Sequence, residues 1–322
     1  MKLRALNGED GQNVAGNPTL RALAMNAMIG AAPLIDYMEF YSMQGAADKL
    51  PKAADAVGGS ARAINSDYTG VETAPLETDS IGLKILGDKI KTDHAYERRG
   101  QSIGSERARQ LTSFCEGFGR HYVDQFFNGD NTGTNLNGVK ALVDSTMLKT
   151  FDTENGGEVP LGNSTTNKTQ QQKFLEALDE LCGLLDSEPS CLAMNRKAIA
   201  RLRTIGREYI TTTSIQGILG NKMELISYNG VPIVPIGYKK AASSGLVLPN
   251  TETCGTSTSA CTSIYALKFG EATDITIETN VGLVVKDLGL IPPHYVTEIE
   301  IDSNIILQNV KALARLQGLK FV

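Results

Sequence analysis

The chain has 322 residues, 41% hydrophobic and 21% charged, enough apolar material for one large folded unit or two modest ones. Its 31 basic and 36 acidic side chains leave a formal charge of −5, which argues against gripping nucleic acid through a cationic surface but leaves room for enclosing it. The 32 glycines and the absence of tryptophan point to many tight turns and long loops, not to a collagen-like or disordered chain.

Residues 1 to 60 are rich in Ala, Gly, Asn and Met, with one short helical pattern near Thr19 to Ile29. Large anchors are few, so this stretch reads as an arm ordered by lying along something else. Glu9 and Asp10 fall where an export signal needs an uninterrupted apolar run. Ala22 to Leu34 is broken by Asn26 and Pro33 and is shorter than the ~20 residues of a spanning helix. A cytosolic chain with no membrane segment is expected. From Ala61 to Arg99 the alternation of Ile81, Leu83 and Ile85 with Gly82 and Lys84 predicts a strand pair. Its many charges, from Lys84 to Arg99, predict a hairpin that projects from the body.

The clearest helix follows, with Leu111, Phe114, Cys115, Phe118, Tyr122 and Phe126 at steps of three and four. Ser105 is its expected N-cap, and Asn128-Gly129 its expected stop through a left-handed glycine. Asn128 to Gly138 and residues 144 to 168 read as polar loops. Phe174, Leu178, Leu181 and Leu185 mark a second helix. The short run Cys191 to Met194 meets Asn195, an N-cap for a helix bearing Ile199, Leu202 and Ile205. Two prolines in Gly230 to Gly237 predict an edge or bulged strand. Ala241 to Thr262 reads as a small-residue loop. Strand patterns at Ile264 to Phe269, Ile275 to Glu278 and Tyr295 to Ile301, then an apolar stretch from Ile305 to Leu319, close the chain.

One catalytic template matches. Gly100-Gln101-Ser102-Ile103-Gly104 fits the nucleophile elbow of serine hydrolases, with Asp274 or Asp287 and then His294 in the required order. An elbow serine follows a buried apolar strand, whereas this one follows the charged run Asp93 to Arg99, so Ser102 is read as part of a turn into the long helix. Asp130 to Gly133 invites a calcium loop, but Asn135 and Ala141 stand where glycine and glutamate are needed. His94, His121 and His294 are far apart, and Cys254 and Cys261 fit no zinc spacing. The five cysteines are expected as free thiols, and the sequons at Asn163 and Asn167 as chance matches. Arg98, Arg99, Arg107, Arg109 and Arg120 are interleaved with Glu97, Glu106 and Glu116, the pattern of a salt-bridged surface. No catalytic residue, metal ligand or cofactor is assigned.

Taken in order, the segments resemble the major capsid proteins of tailed bacteriophages, with their Hong Kong 97-type fold. The long helix ending in Phe126-Phe127-Asn128-Gly129-Asp130-Asn131-Thr132-Gly133, followed by Leu136 to Leu142, is similar to that family's "F-x-N-G-D-G-T-G … G-I-L" run. Met194-Asn195-Arg196 resembles the family's strand-to-helix step, and Asn229 to Pro235 its "G-x-P-V" strand. Ile264 to Gly270 and Ala312 to Leu316 resemble its closing strand and C-terminus. The resemblance spans about residues 60 to 322.

The resemblance implies an α+β fold in four parts. These are an N-terminal arm (1–60), an extended β-hairpin loop (61–100), a peripheral domain with the spine helix (101–189 and 263–322) and an axial domain (190–262). It also implies a non-catalytic subunit of an icosahedral viral capsid, assembled in the host cytoplasm as hexamers and pentamers around double-stranded DNA. Implied partners are other copies, a scaffolding protein, a portal and decoration proteins. Residues 1 to 60 lack the helical scaffolding segment of some members, so a separate scaffold or a leader removed before Met1 is expected. Lys84 and Lys89 lie in the loop that some relatives crosslink, and no crosslink is assigned. An encapsulin-type compartment is the nearest alternative and a hydrolase using Ser102 a distant one.

Overall fold

The computed structural model describes residues 18–43, 47–51, 61–68, 78–100, 102–150, 159–160, 168–205, 210–216, 222–240, 245–254 and 257–320. The longer helices are α1 (Pro18–Ala31), α2 (Ile103–Asn128), α3 (Lys168–Gly183) and α4 (Arg196–Ile205). The strands are β1 (Phe40–Ser42), β2 (Ala47–Pro51), β3 (Thr78–Gly82), β4 (Lys84–Asp93), β5 (Leu148–Thr150), β6 (Val159–Pro160), β7 (Cys191–Asn195), β8 (Ile210–Gln216), β9 (Lys222–Tyr228), β10 (Val231–Ile236), β11 (Glu252–Cys254), β12 (Ser257–Leu267), β13 (Ile275–Ile291), β14 (His294–Leu307) and β15 (Leu313–Lys320). They form a four-stranded sheet β1-β13-β14-β4, a pair β2-β3, and a nine-stranded sheet β5-β15-β12-β7-β10-β9-β8 to which β11 and β6 attach. The fold is α+β, as expected.

Helix α2 is built on the apolar stripe read from the sequence: Leu111, Cys115, Phe118, Tyr122 and Phe126 are all buried. At ~1.5 Å per residue it runs for ~39 Å. Both expected ends need correction. The helix begins one turn earlier, with Ser102 rather than Ser105 at the N-cap, and Ser105 Oγ donates to the Ser102 carbonyl at 2.9 Å. Glu106 N donates to the Ser102 carbonyl at 3.1 Å and closes that extra turn. At the other end Gly129 is extended (φ −60°, ψ 146°), not left-handed. It is needed for space, because a Cβ there would strike the Leu136 carbonyl, and one on Gly138 would strike the Gly129 backbone. The two glycines close loop 129–138 through Gly138 N donating to Gly129 O at 3.2 Å.

The helical pattern near Thr19 becomes α1, and this stretch is better anchored than its small residues suggest. Ala24, Met25, Met28, Ile29, Leu34 and Ile35 are buried in one cluster with the α2 stripe and the inner face of the four-stranded sheet. Small side chains allow that close approach, and flexible methionines fill the gaps.

The projecting hairpin expected within 61–100 has different partners. Strand β4 pairs antiparallel with β14, from Lys84 opposite Ser303 to Asp93 opposite His294, and so forms an edge of the four-stranded sheet. Lys89 and Lys91 are exposed on the outer face with Ile85, whereas Lys84 alternates onto the face of buried Leu86 and Thr92. The smaller pair joins β3 to β2, from Ala47 opposite Gly82 to Pro51 opposite Thr78. Between them residues 61–68 are exposed, while 52–60 and 69–77 lie outside the described residues. The short patterns at 275–278 and 295–301 belong to the long hairpin β13–β14.

In the nine-stranded sheet β10 is interior, not an edge. Pairing with β9 covers Val231 to Ile233 and pairing with β7 covers Ile233 to Ile236, so Pro232 and Pro235 are each paired on one side only. A missing N–H is tolerated in that arrangement. The expected loop 241–262 contains β11 and the start of β12, where Thr262 and Ser263 are fully buried between neighbouring strands. The loop expected at 144–168 is described only at 144–150 and 159–160 before α3 begins; the rest lies outside the described residues.

Asn195 caps α4 as expected, its Oδ1 accepting from Ala198 N at 2.8 Å, and its Nδ2 also donates to Thr262 and Asn250. Asn195→Ala removes the cap at a buried site and is expected to lower stability by about 2 kcal/mol, read as a shifted denaturant midpoint. Phe174, Leu178 and Leu181 of α3 pack with Ile199 and Leu202 of α4 and with Leu316 and Leu319 of β15 in a second cluster. Residues 174–185 and 313–319, grouped by sequence with the spine-helix unit, thus share a core with residues of 190–262.

Candidate assembly surfaces

The candidate catalytic residues are not brought together. Ser102 is exposed at the N-cap of α2. Asp287 is held by Arg107 at 2.6 Å, and Asp274 by Lys268 at 3.2 Å. His294 Nδ1 is buried without a hydrogen-bond partner among the described residues, so neither acid orients its ring as a triad requires. Asp130 is occupied within its own loop: hydrogen bonds from Asn135 and Thr132 hold its carboxyl down at about 2. His121 is half-buried, and burial lowers its pKa, helped by the nearby Lys240 charge. Burial pushes the Cys115 thiol up to about 12 and the Cys182 thiol to about 11. Among the described residues no group of three potential ligands could hold a metal ion, and no helix is long and apolar enough to cross a membrane.

The arginine cluster divides. Arg109 pairs with Glu106 within α2, as the interleaved charges suggest, whereas Arg107 reaches Asp287 on β13, 180 residues away. Arg107 also donates to Thr297 at 3.1 Å and lies over the Tyr295 ring, 5.3 Å from its centre. Thr92 donates to Gln110 at 2.7 Å, and His94 meets Glu97 at 3.0 Å beside Tyr295. The start of α2 is thereby tied to the tip of the β13–β14 hairpin.

Burial alone would raise the Asp287 carboxyl, but hydrogen bonds from Arg107 and the Gly289 amide, with the Arg107 charge, hold it below the usual carboxylate value. A depressed folded pKa gives stability that is present above the unfolded value and lost as pH falls through the folded one. Acid should therefore loosen this tip below about pH 4, by under 1 kcal/mol because the pair is partly exposed. Thermal unfolding from about pH 5 to 3 checks it, with a flatter acid limb expected for Asp287→Asn.

Large apolar side chains are exposed at several places among the described residues, and three of these surfaces bear on assembly. Residues 61–68 present Ile64, 94% exposed, and Tyr68, with Arg62 stacked 5.3 Å over the Tyr68 ring. The β13–β14 tip presents Leu288, Leu290 and Ile291. The outer face of β4 and β14 presents Ile85 beside an open groove of about 590 Å3 that Lys89, Lys91, Glu298 and Glu300 also line. There Glu298 stands opposite Lys89 on one side and Lys286 on the other, alternating in sign as paired strands favour. Lys84 is occupied differently, donating to the Gly133 carbonyl at 2.8 Å. Apolar residues ringed by charges on surfaces of one chain suit contacts with partners. Sequence reading missed Leu288, Leu290 and Ile291 as a surface, since apolar residues in a β pattern read equally as core.

No protein-family model matches the sequence, and no curated protein matches it. Among solved structures the chain is similar to the encapsulin of the holo-SrpI encapsulin complex from Synechococcus elongatus, with TM-score 0.60 and 17% identity over 89% of this chain and 87% of that one. It is similar to the capsid of a native GTA particle, with TM-score 0.53 and 15% identity over 90% of each chain. It also matches a protein of the satellite phage P4 procapsid, with TM-score 0.51 and 10% identity over 92% of this chain and 98% of that one. Identities this low speak to the fold and not to a shared activity. On this likeness, which covers about nine-tenths of each chain, the protein has the Hong Kong 97-type capsid fold.

Proposed function

We propose that the chain is a non-catalytic subunit of an icosahedral viral capsid, assembling as hexamers and pentamers around double-stranded DNA. The likeness to shell-forming chains over about nine-tenths of both partners carries this reading. The exposed apolar residues of 61–68, of β4 and of the β13–β14 tip support it, because neighbouring copies would cover them. In this reading the β2–β3 hairpin and its exposed segment reach a neighbouring subunit. The four-stranded sheet with α2 forms the peripheral part, and the nine-stranded sheet with α3 and α4 the axial part. A scaffolding protein, a portal and decoration proteins would complete assembly in the host cytoplasm, and the virion capsid is the final location.

The likeness to an encapsulin favours a second reading, a compartment that holds protein cargo. Electron microscopy and sedimentation of the full chain separate the outcomes. Shells filled with DNA in the native source support the first reading, and DNA-free shells with a bound enzyme support the second. A strictly monomeric or dimeric species under assembly conditions defeats both. Fluorophosphonate labelling that Ser102→Ala abolishes would overturn the non-catalytic assignment.

A further inference from the structure

We propose that Asn229-Gly230 is a site of spontaneous deamidation, and that the carboxylate formed at residue 229 loosens the β9–β10 hairpin from α3. The proposal goes beyond the capsid reading and does not depend on it. In this reaction the Gly230 backbone nitrogen loses its proton to solvent and attacks the Asn229 side-chain amide carbon. The bond from that carbon to Nδ2 breaks, ammonia leaves, and a succinimide ring remains. Water then opens the ring at either carbonyl, leaving aspartate or isoaspartate. Nothing is oxidised or reduced, and one water is consumed for each ammonia released.

Attack needs a reachable glycine nitrogen and a backbone free to turn the side chain toward it. Among the described residues Asn is followed by Gly at Asn128, Asn137 and Asn229. Asn229 and Gly230 are both exposed in a two-residue turn, at φ 47° and 87°. Gly230 N has no hydrogen-bond partner among the described residues, and a Cβ on Gly230 would meet nothing within 4 Å. This turn can swing without moving a neighbour.

The other two pairs are locked. Gly129 N donates to the Gln125 carbonyl at 2.9 Å, and Gly138 N to the Gly129 carbonyl at 3.2 Å. A Cβ on either glycine would strike backbone, so their loop has no room to swing. Asn128 Nδ2 is also held by Asp124 at 2.8 Å and by the Val247 carbonyl at 3.0 Å, and Asn137 is only 9% exposed. Both react only through local opening, which keeps the reactive form rare.

The product is felt at α3. Asn229 Nδ2 donates to Asp179 Oδ1 at 3.3 Å, and the Tyr228 hydroxyl donates to the same oxygen at 2.8 Å. Deamidation replaces the amide donor with a carboxylate that is ionised at neutral pH. Two like charges then face each other where a hydrogen bond stood. Isoaspartate also routes the main chain through Cβ, which adds a carbon to a turn whose length sets the strand register.

The test incubates the folded full chain in mildly alkaline buffer below its unfolding temperature and reads tryptic peptides by mass spectrometry. Trypsin isolates Met223 to Lys239, where Asn229 is the only side-chain amide, and His121 to Lys140, which holds Asn128 and Asn137. Asn229 should gain the mass of an amide-to-acid exchange, as separable aspartate and isoaspartate forms, roughly tenfold or more faster than Asn128 or Asn137. In urea the three rates should converge. Conversion at Asn229 no faster than at the other two in the folded chain overturns the proposal. A gap that persists in urea also overturns it, because the cause would then be local sequence and not the fold. Asn229→Gly, which suits this turn, should abolish the mass gain in its peptide. Asn229→Asp should lower the urea midpoint, and adding Asp179→Asn should restore most of the loss. An unchanged midpoint for Asn229→Asp overturns the loosening.

Discussion

Gly119→Val is expected to destabilise the protein by about 3 kcal/mol and to free α1 from α2. Gly119 is buried mid-helix, where a Cβ would stand 2.8 Å from the Met28 carbonyl oxygen and 3.0 Å from Met28 Cα. Both atoms belong to the backbone of α1, so no side-chain rotation relieves the clash. Gly119→Ala makes a sharper comparison. Alanine gains about 1 kcal/mol of helix propensity, and a net loss would show that the crossing outweighs it. The denaturant midpoint reads the energy, and faster proteolysis within Pro18–Ala31 reads the detachment. Unchanged midpoints for both variants would mean that α1 tolerates displacement at no cost.

Arg315→Met should cost about 3 kcal/mol, because it leaves a nearly buried carboxylate without its partner. Arg315 on β15 donates to Glu252 of β11 at 3.2 Å and to Ser263 of β12 at 3.0 and 3.1 Å, and it lies over the Tyr265 ring. Ser263 Oγ in turn donates to the same Glu252 carboxylate. Only 11% of Arg315 and 13% of Glu252 is exposed. Adding Glu252→Gln to Arg315→Met removes the orphaned charge and should recover much of the loss. A double-mutant cycle by urea unfolding measures the coupling. A cost below about 1 kcal/mol for Arg315→Met would show that the cluster behaves as an exposed pair.

These two sites also show where the sequence stops being informative. The α2 stripe from Leu111 to Phe126, the α3 face at Phe174, Leu178 and Leu181, and the Asn195 cap of α4 were all legible. Each is local, written in residues within a few turns of one another. The hairpin turn at Asn229-Gly230 is local too, with both residues at positive φ joining β9 to β10. Of the surface features, the sequence showed charges around 84–99 and on α2 but not what they face. Arg107 and Asp287 are 180 residues apart, and Arg315 and Glu252 are 63 apart.

Strand partners were equally hidden. Alternation in 81–90 predicts a strand but carries no label for β14, with which β4 pairs. Prolines in β10 argued for an edge, and the polar run before Thr262 argued for a loop. Both arguments treat a strand alone, whereas split pairing admits the prolines and neighbouring strands bury the hydroxyls of β12. Gly129 shows the same limit at one residue, since its need for glycine comes from Leu136 and Gly138 across a loop and not from its own φ.

Length, charge and glycine content by themselves determined that this is a globular chain without a broad cationic surface, and periodicity determined its main helices. Only the tertiary structure decided which strands share a sheet, which apolar residues are core and which face outward, and which charges meet. Helical periodicity is set by contacts three and four residues apart. Sheet order and surface exposure are set by contacts between segments up to about two hundred residues apart, which no local window contains.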